Sequence, residues 1–154
     1  MVEGAYRGDS ARVGWTHEAD LLGGQRIDAE MLHELIATPG AQVLQAFDGA
    51  HLVGCVAVER RTGHGYIGIV TVEPGRQGGG IGASLLEAAE RSLRDAGETV
   101  ARMTVIAQRE ALIEYYGRRG YARTGETAPF PYGDARYGDP KRDDLYFVVL
   151  GKRL

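Results

Sequence analysis

Gln77-Gly78-Gly79-Gly80-Ile81-Gly82-Ala83 is the stretch whose residue types bear most directly on chemistry. Three consecutive glycines leave no Cβ to keep backbone N–H groups from crowding around one point. The apolar spacing beyond it, at Ile81, Leu85, Leu86, Ala89 and Leu93, predicts an amphipathic helix from about Ile81 to Asp95. Its first-turn N–H groups lack intrahelical partners, and the positive end of its dipole lies at the same place. Turn and helix start together make a seat for phosphate, and for a pyrophosphate in particular.

Spacing separates the ways of building such a seat. A P-loop requires Lys and then Ser or Thr after its last glycine. Gly75 and Gly80 fit its glycines, but Ile81 and Gly82 come next. A dinucleotide fingerprint can be laid on Gly78, Gly80 and Ala83. It wants a strand running straight into the first glycine and an acid after the next strand. Here Glu73 to Gln77 intervene, and Asp95 and Glu98 come before the next apolar run. The third pattern is Gln or Arg, two residues, Gly, one residue, then Gly or Ala. Gln77, Gly80 and Gly82 meet it, with Pro74 upstream and Leu85-Leu86 downstream. At this point the chain resembles the GNAT superfamily of N-acetyltransferases.

Arg109 to Tyr121 is similar to a second GNAT pattern, an Asn, Ala, Leu-Tyr, Gly and aromatic at set spacings. Tyr116, Gly120 and Tyr121 match, while Arg109, Leu112 and Tyr115 replace the usual Asn, Ala and Leu. The resemblance implies acetyl-coenzyme A as cosubstrate, its pyrophosphate held by Gln77, Gly78, Gly79, Gly80, Ile81, Gly82 and Ala83. It implies that Val72 pairs through its backbone with the pantetheine arm. It implies that the Val70 N–H stabilises the oxyanion as an amine attacks the thioester. Tyr116 would then donate a proton to the departing thiolate; its plainer alternative is packing on the sheet. Arg109 takes the place of a pantetheine contact, but a guanidinium only donates and cannot accept as an amide does. A surface arginine at a helix start is the other reading of Arg109. Tyr115 points about 100° away around a helix, and its loss of the hydroxyl is expected to cost much less than that of Tyr116.

A general base is not singled out. Tyr66 stands where some GNAT relatives carry a Glu, and a phenol of pKa about 10 is a poor base at neutral pH. Glu59, Glu73, Glu18, His17 and a relay of water to solvent remain open. Cys55, among Val53, Val56 and Val58, reads as a buried structural thiol, so transfer is expected to be direct. No metal is expected.

The elements needed to position these residues are legible in outline. Asp28 caps a helix with Met31, Leu32, Leu35 and Ile36 on one face, ended by Pro39-Gly40. Two strands meet across Asp48-Gly49-Ala50, a hairpin signal. A loop from Arg60 to Gly65 leads to a strand over Tyr66 to Val72, which feeds the glycine turn. Thr99 to Ala107 is a strand, Glu110 to Arg118 a helix, and Tyr121–Gly125 and Leu145–Leu150 the last strands. Thr16 to Gly24 is expected to form a short helix or helical loop. The fold class is α/β: a GNAT-like mixed sheet flanked by helices, in one domain spanning residues 1–154. The family's first strand is apparently missing, since Met1 falls where its first helix would run. That implies a truncated start or a lost edge strand, and an open edge makes a homodimer possible.

Composition narrows the partners. The chain has 154 residues, 44% hydrophobic and 25% charged, with a net charge of −3. That offers no basic field for nucleic acid or anionic lipid. The apolar run Leu145–Leu150 is far too short to span a bilayer. A lone cysteine and no signal-like N-terminus suit the cytoplasm. Aromatic residues and carboxylates in 7–26 and 129–140 suit a small amine with an apolar portion. The expected activity is transfer of acetyl from acetyl-coenzyme A to a small primary amine; the alternative is a non-catalytic acyl-coenzyme A binding domain.

Overall fold

The computed structural model describes residues 1–154. Two short helices, α1 (Val2–Tyr6) and α2 (Gly8–Ala11), open the chain. Turns and bends occupy residues 12–21, in place of the short helix expected over part of the stretch, and lead into β1 (Leu22–Gly23). The reason is tertiary: Glu18 is drawn inward by ion pairs with Arg7 and Arg109, which no local pattern announces. Next, α3 (Ala29–Ala37) is capped by the Asp28 carboxylate, which accepts from the Met31 N–H at 2.8 Å. The hairpin of β2 (Ala41–Asp48) and β3 (His51–Arg61) forms as expected. A second tight hairpin, in place of the longer loop expected, leads to β4 (His64–Val72). After the glycine turn come α4 (Ile81–Asp95), β5 (Val100–Ile106), α5 (Glu110–Gly117), β6 (Ala122–Pro129), β7 (Asp139–Pro140) and β8 (Tyr146–Arg153).

Six strands form a mixed sheet in the order β2-β3-β4-β5-β8-β6, while β1 and β7 make a separate two-stranded ribbon. The large sheet begins at β2, which leaves one edge of that strand open. The main core lies where Leu85, Leu86, Ala89 and Leu93 of α4 meet Val56, Val58, Ile67 and Met103 of the sheet. Burying each leucine contributes roughly 1.5–3 kcal/mol. An isolated helix of this length is marginal, so packing fixes α4. Gly54 permits the contact, because a Cβ there would sit 2.9 Å from Leu85 Cδ1 and 2.8 Å from the Thr71 carbonyl.

Two irregularities in β4 shape the space beside it. The strand runs parallel to β5 but pairs with it only at Gly65–Ala101 and Tyr66–Arg102, after which the strands part. Its register with β3 also slips between Cys55–Thr71 and Ala57–Gly68, which leaves one extra residue on β4. This is a bulge. Within it Ile69 has φ +53°, an outlier for a β-branched residue and a strain of order 1–3 kcal/mol. The neighbours hold it: Thr71 Oγ1 donates to the Ile69 carbonyl at 2.9 Å, and the Tyr6 hydroxyl donates to the Val70 carbonyl at 2.7 Å.

Candidate active site

The gap between β4 and β5 opens into two cavities. An outer groove of about 420 Å³ runs past Val70, Val72, Gln77, Gly78, Gly80, Ile81 and Gly82 to α5. An inner pocket of about 300 Å³ lies behind it, between α1, β4 and β5. Val70, Leu112 and Tyr116 line both.

The outer end of the groove is made of backbone. No N–H from Gly78 to Ala83 donates within the chain; the first bond is Ser84 N–H to the Gly80 carbonyl at 3.0 Å. Gly78 and Gly80 have φ of +85° and +86°, so the left-handed turn that aims these donors outward is one that glycine adopts freely. Gly80 is the N-cap of α4 and no side chain caps it. Six adjacent donors at a helix start form an anion site that fits a pyrophosphate. Gly79 and Ala83 contribute only through this backbone and do not line the groove.

Gln77 has another task. Its carboxamide accepts from the Trp15 N–H at 3.0 Å and donates to the Val72 carbonyl at 3.3 Å. It therefore clips the N-terminal segment to the turn. A Cβ on Gly14 would fall on that carboxamide, so the close approach needs a glycine there.

Along β4 the Glu73 N–H bonds the Val53 carbonyl, toward β3. Strand alternation then directs the amides of Val72 and Val70 the other way, across the gap that β5 leaves unpaired. The bulge at Ile69 sets the angle of the Val70 unit.

Tyr116 stands at the junction of the cavities and is buried. Its ring packs edge-on between Tyr115, 5.4 Å away between centroids, and Tyr121, 6.1 Å away. Tyr121 is in turn held by Glu90, which accepts from its hydroxyl at 2.9 Å and from Lys152 at 2.9 Å. Burial, with Tyr6 nearby and against the pull of Arg109, pushes the Tyr116 hydroxyl well above the usual phenol range. The group is a proton donor throughout the neutral range.

Tyr115, though turned away from Tyr116 around the helix, still faces the groove. It lines the groove, with its hydroxyl where a Cβ on Gly82 would meet it at 2.8 Å. Trp15 packs on its ring at 5.3 Å and the Arg119 guanidinium covers it at 3.6 Å. One residue along α5 is too small a rotation to remove so large a ring from a broad groove. Arg118, Arg119 and Arg76 also line the groove, a cationic rim that the sequence does not advertise because arginines on a helix surface are common.

Arg109 is neither a surface residue nor in the outer groove. Its side chain is 8% exposed and lines the inner pocket, where Nη1 meets Glu18 at 3.1 Å and Nη2 donates to Thr16 Oγ1 at 2.6 Å. Glu18 also accepts from Arg7 at 3.1 Å. Among the expected bases only Glu18 reaches the pocket, and both its oxygens are engaged by guanidiniums. Glu59 pairs with Arg61, and Glu73 with His51 and Arg76; neither lines a cavity. His17 accepts from the Ala19 N–H and also lies off both cavities. The Tyr66 hydroxyl bonds Thr104 Oγ1 at 2.7 Å across the splay. Cys55 is buried, and burial pushes its thiol up, as suits a structural residue.

Residues 15–130 match the family model described as acetyltransferase (GNAT) domain. That is well over half of the chain, and the protein belongs to the GNAT family of acetyltransferases, enzymes that use acetyl-coenzyme A. Solved structures share the fold. A GNAT acetyltransferase of Elizabethkingia anophelis with acetyl-CoA bound is 14% identical, and the match covers 82% of this chain and 84% of that one, with a TM-score of 0.65. The ribosomal-protein-S18-alanine N-acetyltransferase of Escherichia coli is 16% identical over 82% and 77% of the two chains, with a TM-score of 0.64. A nourseothricin acetyltransferase is 20% identical with a TM-score of 0.64; 75% of this chain aligns with 66% of it, so the chain spans about two thirds of its length. No curated protein matches the sequence. No helix is long and apolar enough to cross a membrane.

Proposed function

We propose that the protein is an N-acetyltransferase that moves acetyl from acetyl-coenzyme A directly to the primary amine of a small molecule. The observation that carries this reading is the meeting of the two cavities at Val70, Leu112 and Tyr116. The unpaired amides of residues 78–83 hold the pyrophosphate, and Val72 lends its backbone to the pantetheine arm. The thioester carbonyl then lies at the junction. The amine nitrogen attacks from the inner pocket, forming the C–N bond, and the Val70 N–H stabilises the oxyanion. As the C–S bond breaks, Tyr116 gives its proton to sulfur. The nitrogen loses one proton to solvent, since the pocket's carboxylate is already shared between Arg7 and Arg109, and Tyr116 regains one from solvent to close the cycle. A pocket of about 300 Å³ walled by the N-terminal segment favours a small acceptor over a protein chain. Cytoplasmic residence is part of this reading, because acetyl-coenzyme A is made and used there. The open edge of β2, with Phe47 and Ile36 exposed beside it, is proposed to pair in a homodimer; a monomer by light scattering would exclude it.

The test is thiol release from acetyl-coenzyme A against a panel of primary amines. Turnover above the rate of hydrolysis supports transfer. Tight cofactor binding with no amine-dependent release supports the non-catalytic alternative.

A further inference from the structure

The inner pocket carries more positive charge than a plain amine would want. Arg7, Arg26, Arg109 and Arg136 line it, against the single carboxylate of Glu18. Arg136 is satisfied by Asp134 at 2.7 Å, and Arg7 and Arg109 share Glu18. The nearby Glu3 carboxylate is taken by the backbone N–H groups of Arg26 and Ile27. Arg26 is left over. Its side chain makes no hydrogen bond, and the closest carboxylate oxygen is that of Glu18 at 4.0 Å. A guanidinium facing a partly desolvated cavity without a bonded anion is a site for one, best met by a planar carboxylate.

Geometry sets the spacing. The Arg26 guanidinium lies over the face of the Tyr6 ring, 5.1 Å from its centroid, and the hydroxyl of that ring donates to the Val70 carbonyl at 2.7 Å. The Tyr6 ring therefore links the guanidinium to the point of transfer. Ile67, Met103, Phe130 and Phe147 supply apolar wall. We propose that the acceptor is a small amino acid with an apolar side chain, its carboxylate on Arg26 and its amine toward Val70. This rests on the proposed acetyl transfer. The same arginines repel polyamines and other polycations.

Phenylalanine, leucine, their amides and their decarboxylated amines, with spermidine, form the panel for thiol release. The acids are expected to exceed the matched neutral amines at least tenfold in kcat/KM. Arg26→Gln should erase that ratio and Arg26→Lys keep part of it; Arg26 is partly exposed, so folding survives either change. In parallel, N-acetylphenylalanine and N-acetylleucine should bind the coenzyme A complex at least tenfold more tightly than their amides by calorimetry, and Arg26→Gln should abolish the difference. Arg26-dependent binding without thiol release overturns acetyl transfer and leaves the anion site standing. Release or binding with no preference for the acid overturns the anion site alone.

Discussion

The outer groove and the inner pocket share three residues but are built of different material. The groove's phosphate end is backbone: six unpaired amides on a left-handed turn, with open space around Gly78 and Gly80. The inner pocket is side chain: Arg7, Glu18 and Arg109 come from the junction of α1 and α2, the turns after α2 and the N-cap of α5, joined by buried ion pairs. Backbone donors tolerate change at most side chains around them, whereas a buried ion triad fails when one member goes. A scaffold of this kind keeps its cosubstrate while its acceptor pocket is rewritten by substitution.

Substitutions can break or sharpen that contrast, and the largest effect belongs to the pocket. Glu18→Ala strands two buried guanidiniums and is expected to cost about 3–5 kcal/mol of stability in chemical denaturation. A loss under about 1 kcal/mol would mean the triad does not hold the wall. Tyr116→Phe, at the shared junction, should lower kcat by roughly 10²-fold while affinity for acetyl-coenzyme A persists. Because burial raises the Tyr116 pKa, the hydroxyl stays protonated as pH climbs. The wild-type rate should then rise as the amine deprotonates, with no descending limb near pH 10 of the kind an ordinary phenol would give. A fall there, or an unchanged kcat in the variant, assigns the proton elsewhere.

In the groove, Gly80→Val puts a β-branched residue at φ +86° in otherwise open space, so the penalty is conformational. About 1–3 kcal/mol of strain predicts a ten- to hundredfold loss of cofactor affinity by calorimetry, and Gly80→Asn, which tolerates this region better, should lose less. Equal losses in both would point to contact with the side chain instead. The smallest effect is expected of Tyr115→Phe: the ring stays between Trp15 and Arg119, and KM for acetyl-coenzyme A should change by about threefold or less, under 1 kcal/mol.

Legibility in the sequence divides along the same line. The span of α4, the β2–β3 hairpin and the glycine turn are legible because glycine spacing and helical periodicity are local signals. The start of the chain is not. Glu18 looks like a solvated acid until Arg7 and Arg109 fold against it, and Arg109 looks like a surface residue until Thr16 and Glu18 receive it. At the bulge Gly68 flanks Ile69, but it is the β-branched Ile69 that takes the positive φ, held by Thr71 and Tyr6 on either side. Arg26 is hidden for the same reason, since only the tertiary arrangement leaves it without a hydrogen-bonded anion.

The Gln77 carboxamide, which bridges the Trp15 amide and the Val72 carbonyl, has a thermodynamic consequence. Stiffening the turn at one end of this bridge lowers the entropic cost of ordering the segment at the other, and such coupling is reciprocal. The expected outcome is synergy: each substrate should bind more tightly when the other is already in place. Calorimetry would report it, with the acceptor binding more tightly to the coenzyme A complex than to the free protein, and Gln77→Ala should shrink that difference.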